Sequence, residues 1–279
     1  MSSSKTIESV LADGIKQLSA AAVDAPRTDM LVLLENVLKR DRTWILAHQN
    51  EKMPAQSLSA LPPLLNRRLN REPLAYIVGE RDFYGLKLIV TPDVLIPRPE
   101  TEALVEYIVA HAPENGSVID VGTGSGAIAL AVKSQRPDLH VVATDVSEKA
   151  LQVAERNRGQ NNLNIKFVHS NLLDSVHQEF DVIAANLPYV PVGSSGGEEL
   201  SHEPGQALYS GDDGLDHYRR FIPQIASHLR AGGCAVLEHD PMQYNELTEL
   251  AQQQGLEVRS ITDFVTLLSP AVGQEPNDV

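Results

Sequence analysis

An α/β fold is predicted for this chain: a parallel, doubly wound sheet closed by a C-terminal β-hairpin, with a small N-terminal helical domain attached through a β-hairpin connector. Three observations predict it. Helical apolar spacing fills residues 6–70, short apolar runs alternate with helical patterns from Pro99 onward, and the glycine loop Asp120-Val-Gly-Thr-Gly-Ser-Gly126 joins one such run to the helix after it. At 279 residues and 42% hydrophobic content, the chain has room for a large domain plus a small one. The expected boundaries are residues 1–79 for the helical domain, 80–97 for the connector and 98–279 for the α/β domain.

The elements follow in order. Ile7, Val10, Leu11, Ile15 and Leu18 recur at helical spacing, as do Met30, Leu33, Leu34, Val37 and Leu38. Pro26, Pro54, Pro62 and Pro63 punctuate these helices and predict turns at the prolines. Residues 81–90 hold two β-prone runs around Gly85, the pattern of a hairpin. A helix begins near Glu100 and Glu102, with Pro99 and acidic residues in its first turn, as the helix dipole favours. Strands are expected over 117–121, 140–144, 165–169, 180–185 and 234–238, and helices over 127–134, 148–158, 215–229 and 244–254. Gly232-Gly233 is expected to end the third of these helices and Gly255 to cap the fourth, before a hairpin over 256–261 and 264–268. Gly193-Ser-Ser-Gly-Gly197 reads as a loop.

Composition narrows the function classes. A net charge of −14 would repel phosphate backbones, so nucleic acid is not the expected substrate. The single cysteine, Cys234, leaves no internal disulfide framework and no cysteine-rich metal cluster, which fits a reducing, cytoplasmic setting. The first residues carry no apolar signal region, and no run approaches the ~20 apolar residues of a membrane helix, so no membrane association is expected. Nine histidines show no metal-ligand spacing. Cys234 reads as a core thiol, and Ser125 as part of the glycine loop. Arg67, Arg68 and Arg71 form a basic cluster that is either a solvated helix face or a partner contact. Arg98, between two prolines, either shapes a pocket edge or pairs near Glu100.

Two segments carry chemistry. Val118-Ile-Asp-Val121 is a buried-strand signal, and Gly122, Gly124 and Gly126 let the backbone turn sharply and approach a ligand, with Thr123 and Ser125 between them. Asp145, at the end of the next strand, is placed to hold a ribose. This pattern admits either a dinucleotide such as NAD or S-adenosylmethionine. Asn186-Leu187-Pro188-Tyr189 discriminates between them, because it follows the strand over 180–185 at the edge where open α/β sheets bind ligands. Methyl transfer to a planar nitrogen needs the lone pair freed and aimed. The Asn186 side-chain oxygen can accept one N–H and the Leu187 carbonyl the other. Pro188 biases Leu187 toward an extended backbone, and Tyr189 can lie flat against a planar amide or base. Any planar NH2 group, including adenine in RNA or DNA, satisfies this geometry.

The chain resembles the peptide-chain release factor N5-glutamine methyltransferases, the PrmC/HemK family. The resemblance runs through ordered blocks: residues 71–80, Phe83-Tyr-Gly85, residues 90–102 with Ile96-Pro-Arg-Pro-Glu-Thr-Glu102, residues 120–130, and Glu203-Pro204 through Gly211-Asp-Asp-Gly-Leu215. It implies a Rossmann-like class I methyltransferase domain, S-adenosyl-L-methionine as cofactor, and a helical domain that engages the partner. The implied substrate is the glutamine of the Gly-Gly-Gln motif of class I release factors, methylated on its side-chain amide nitrogen. Gly122 to Gly126 would line the methionine and adenosine portions, Asp145 would bind the ribose, Asn171 and Leu172 would lie near the adenine, and Asn186 to Tyr189 would hold the glutamine amide. The chain departs from the family in having Leu187 for proline, Asn171 for aspartate, and Glu238-His-Asp240 for Glu-Ile-Gly. An amino-methyltransferase acting on adenine, an NAD-dependent oxidoreductase and a non-catalytic homologue are the competing readings.

Overall fold

The structure, a computed structural model, describes residues 5–194 and 197–271; Ser195 and Gly196, in the expected glycine-serine loop, lie outside them. The chain divides into two compact units, one of Met1–Gly79 with Gly197–His202 and the other of Glu80–Gly196 with Glu203–Val279.

The first unit is helical. Its helices are α1 (Ile7–Ala20), α2 (Pro26–Leu38), α3 (Arg42–Ala47), α4 (Ala55–Leu69) and α5 (Leu74–Val78). Sequence explains their starts. Thr6 caps α1 by accepting from Ser9 N at 3.2 Å, Pro26 opens α2 at its first turn, and Asp41 caps α3 by accepting from Trp44 N at 2.7 Å. Leu18, Met30, Leu33, Leu34 and Ile45 are fully buried and form the centre of its core. Pro62 and Pro63 correct the expectation of a turn, since both lie inside α4. They face solvent, while Leu61 and Leu65 on the opposite side are buried. The carbonyls they leave without an N–H partner are therefore near water, and core packing carries the helix through. The basic cluster is not a solvated face either. Arg68 is buried and donates to Asp29 at 2.6 Å and Glu199 at 2.6 Å, Arg67 pairs with Glu72 at 2.5 Å, and Arg71 donates to Ala22 O at 2.6 Å.

The second unit opens with the hairpin β1 (Glu80–Phe83) and β2 (Leu86–Ile89). Its turn residues Tyr84 and Gly85 have φ of 46° and 78°, the positive pair a tight hairpin turn requires. A short 3₁₀ turn, Pro99–Thr101, leads into α6 (Glu102–His111). The strands β3 (Ser117–Val121), β4 (His140–Asp145), β5 (Lys166–His169), β6 (Phe180–Ala185), β7 (Leu229–Glu238), β8 (Leu256–Thr262) and β9 (Val265–Pro270) form one sheet in the order β5-β4-β3-β6-β7-β9-β8. β3 to β7 run parallel, and β9 pairs antiparallel with both β7 and β8, which is the expected closing hairpin. The helices α7 (Ala127–Gln135), α8 (Glu148–Asn161), α9 (Asp216–Ile225) and α10 (Tyr244–Gln253) connect them. Alternation splits the core by face: Val118, Val182, Ala184 and Val236 join one cluster, and Ile119, Val121, Ile183, Ala185 and Leu237 the other.

The helix expected over 215–229 is shorter than its apolar pattern, and Gly232-Gly233 does not end it. α9 stops at Ile225, a 3₁₀ turn follows, and both glycines lie within β7. The register of β6 against β7 shifts between Phe180 and Val182. A Cβ on Gly233 would stand 3.0 Å from the carbonyl oxygens of Phe180, Asp181 and Arg230, so the glycine is demanded by close strand approach.

Candidate active site

The strand order reverses between β3 and β6, and the carboxyl ends of these neighbours form the crevice where open α/β sheets bind ligands. Register places the two sequence motifs side by side. Val121 pairs with Ala185, so Gly122 and Asn186 leave the sheet together. The cleft there encloses about 980 Å³ of space free of protein atoms, open solvent at its mouth included. Of the sequence-predicted residues, Gly122, Thr123, Gly124, Ser125, Asp145, Asn171, Leu172, Asn186, Leu187 and Pro188 line it. Gly126 and Tyr189 are not among its lining residues. Gly126 serves packing instead, since a Cβ there would meet Leu130 at 2.9 Å and Ala154 at 3.3 Å.

Carboxylates hold the glycine loop from beneath and from the side. Asp120 is buried, and its Oδ2 accepts from Thr123 Oγ1 at 2.6 Å and Ala129 N at 3.1 Å, while Oδ1 has no partner. Burial pushes its pKa up to about 6. Asp145 accepts from Gly124 N through Oδ2 and from Ser147 N through Oδ1, both at 2.8 Å, so each oxygen keeps a lone pair for a ligand hydroxyl. Its pKa is also raised by burial, against the pull of these backbone donors. A Cβ on Gly124 would stand in open space, which leaves the loop backbone bare toward the cleft. Asn157, fully buried on α8, ties the loop to the hairpin: its Nδ2 donates to Ser125 O and Ile89 O, and its Oδ1 accepts from Ile89 N.

At the other end, Asn186 Nδ2 donates to Thr101 Oγ1 at 3.0 Å, and its Oδ1 accepts no hydrogen bond from the protein among the described residues. Tyr189 turns its hydroxyl inward to Glu238 Oε1 at 3.2 Å. Desolvation and the Glu238 charge together hold that phenol well above its usual range. Glu238 is 1% exposed. Burial raises its pKa, while Thr101, Tyr189 and Asn186 stand close enough to favour its ionised form without closing a hydrogen bond onto Oε2. Leu187 is buried, and its side chain lies where a Cβ on Gly122 would meet it at 2.9 Å. The first glycine of the loop therefore makes room for the Asn186 segment as well as for a ligand.

Asn171 lies at the rim with its side chain engaged away from the cleft, donating to Asp174 at 2.9 Å and accepting from Arg220 at 2.9 Å. Leu172 beside it is buried in a left-handed conformation, φ 52°. Arg98 meets both of its sequence expectations in part: it lines the cleft and is ion-paired, but to the buried Glu203 rather than Glu100. Thr101, Asn157, His217 and Glu238 escaped sequence reasoning as site residues. Thr101 lies inside the Ile96 to Glu102 block, which was the signal available for it. Among the described residues no group of three histidines, cysteines or carboxylates could hold a metal ion, and no helix is long and apolar enough to cross a membrane.

Two family models match: the PrmC N-terminal domain over residues 9–79 and the methyltransferase small domain over residues 99–203. The chain is 40% identical over 253 residues to a release factor glutamine methyltransferase of Coxiella burnetii, covering 89% of this chain and 91% of that protein. It is 39% identical to the protein of the same description from Escherichia coli (strain K12), covering 82% and 84%. Among solved structures, a methyltransferase from Pyrococcus furiosus aligns with a TM-score of 0.54 at 19% identity, over 74% of this chain and 99% of that one. The T. Thermophilus 16S rRNA N2 G1207 methyltransferase, in complex with AdoMet and guanosine, aligns with a TM-score of 0.52 at 20% identity, over 69% and 49%. These structural likenesses show the Rossmann-like class I methyltransferase fold.

Proposed function

Because this chain belongs to the release factor glutamine methyltransferase family, we propose that it methylates the side-chain amide nitrogen of the glutamine in the Gly-Gly-Gln motif of class I release factors, with S-adenosylmethionine as donor. The observation that carries this reading is the Asn186 amide, tied through Nδ2 to Thr101 so that Oδ1 is left to accept, at the mouth of a cleft shared with the glycine loop. The cleft fits the cofactor. The bare backbone at Gly124 and the free lone pairs of Asp145 offer acceptors to ribose hydroxyls and to an ammonium group. When bound, the cofactor supplies an electrophilic methyl on a sulfonium. Asn186 Oδ1 would accept one N–H of the substrate amide and the Leu187 carbonyl the other, which turns the nitrogen lone pair toward the methyl and favours negative polarisation on it. The substrate nitrogen would take that methyl and give up one of its two protons to solvent at the open mouth of the cleft. We assign the helical unit, residues 1–79, to engaging the release factor, and a cytoplasmic setting to the protein.

Mass spectrometry of the Gly-Gly-Gln peptide of a release factor, after incubation with enzyme and cofactor, tests the reading: one methyl group on the glutamine is expected. Label from the cofactor appearing only in RNA or DNA would replace it with adenine methylation. Calorimetry showing binding of NAD but not S-adenosylhomocysteine would overturn the cofactor.

A further inference from the structure

Hydrogen-bond accounting around Asn186 leaves two buried groups that need one another. Thr101 is 4% exposed, and its Oγ1 accepts from Asn186 Nδ2, which leaves its hydroxyl hydrogen to be placed. Glu238 is 1% exposed, its Oε1 accepts from the Tyr189 hydroxyl, and its Oε2 has no partner. A buried carboxylate oxygen without a donor is costly, and two neighbours have a hydrogen left to give, the Thr101 hydroxyl first and the second N–H of Asn186 Nδ2 after it; both hold the amide the same way round.

We propose that Glu238 is a positioning residue which, through Thr101, fixes which way the Asn186 side-chain amide faces. When ionised, Glu238 only accepts, so the Thr101 hydroxyl then points its hydrogen at Glu238 and its lone pair at Asn186. That lone pair selects Nδ2 over Oδ1. The amide oxygen is then the end presented to the cleft, where the reading above requires an acceptor for the substrate N–H. A neutral amide at position 238 removes the constraint, because its NH2 can donate to Thr101, whose hydrogen is then free to meet Asn186 Oδ1. The flipped amide would offer N–H groups to the substrate NH2, donor against donor. Glu238 also anchors Tyr189, so one carboxylate organises both ends of the Asn186 to Tyr189 segment.

The inference rests on the proposed glutamine methylation for its kinetic consequence, but not for its structural one. Kinetically, Glu238→Gln and Thr101→Val are each expected to lower kcat on a release factor by about 10- to 100-fold, with KM and affinity for S-adenosylhomocysteine little changed. Thr101→Ser should restore most of kcat. Because the two act in series, the double variant should be no slower than the slower single one. Full kcat in Thr101→Val, or additive losses, would overturn the proposal. Structurally, NMR of the Asn186 side-chain amide, assigned by its absence in Asn186→Ala, should show one proton protected from exchange in the wild type and exposed in Thr101→Val. Unchanged protection would overturn it without reference to any substrate. If Glu238→Gln fails to fold, the Val and Ser variants at Thr101, which change little volume, carry the test alone. A wild type that shows the protected amide but methylates no release factor refutes the functional reading and leaves the positioning claim standing.

Discussion

Asn186 and Asp145 line the same cleft but are tied to different partners, and that separation makes their roles separable. Asn186→Ala removes the acceptor we propose for the substrate and no contact to the glycine loop, so kcat is expected to fall by about 10²–10³ while S-adenosylhomocysteine affinity holds. Asp145→Ala strips the carboxylate held by Gly124 and Ser147, and calorimetry should show cofactor-product affinity weakened first, by roughly 1.5–3 kcal/mol. Equal loss of affinity in both variants would refute the division. Asp120 gives a pH signature. Its folded pKa of about 6 exceeds the ordinary 3.8, so the native state binds the proton more tightly than the unfolded chain. The group therefore favours folding increasingly as pH falls from about 6 toward 4, and opposes it above 6. Urea unfolding should show the stability difference between wild type and Asp120→Asn shifting toward the wild type by about 2–3 kcal/mol between about pH 7 and pH 4; a flat difference would refute it. That Gly122, Gly124, Asp145 and Asn186 meet at one cleft was legible in the sequence, because the glycines and Asn186 stand in short motifs just after apolar strands and Asp145 ends the strand after the loop. Thr101 and Glu238 were not, because their partners lie 85 and 49 residues away and nothing local marks the pairing.

Helices and strands were legible where a single period dominated. The strands flanking the glycine loop alternate between two buried faces and were recognisable as continuous apolar runs. Misreadings arose where tertiary packing overrode a local rule: Pro62 and Pro63 ride the exposed side of α4, and Gly233, within β7, admits β6 against it instead of ending a helix. The arginine cluster shows the same limit, since its charge was visible and its carboxylate partners were not. Arg68 joins α4 to Asp29 on α2 and to Glu199 within one unit. Arg68→Met leaves Asp29, 6% exposed, without its counter-charge, and should cost about 3–5 kcal/mol in chemical unfolding. Replacing both partners, Asp29→Leu with Arg68→Met, should recover much of that loss because no buried charge is then unpaired. A single variant as stable as the wild type would show that the pair is not desolvated in solution.

Net charge gives a prediction that no single residue does. At −14 the protein carries an excess of carboxylates, and the basic cluster of Arg67, Arg68 and Arg71 is taken up by internal ion pairs and not offered to a phosphate backbone. A substrate of nucleic acid would have to be held by neutralised phosphates, and six to ten such contacts lose about 10³–10⁵ in affinity between about 50 and 200 mM salt. A protein substrate read through an amide cleft releases no condensed counterions and carries no such slope. Methyl transfer to a release factor, followed as kcat/KM with labelled cofactor, is therefore expected to change by less than about tenfold over that range. A steep power-law fall with salt would place phosphates in the recognition step and move the substrate from a glutamine amide to the amino group of a base.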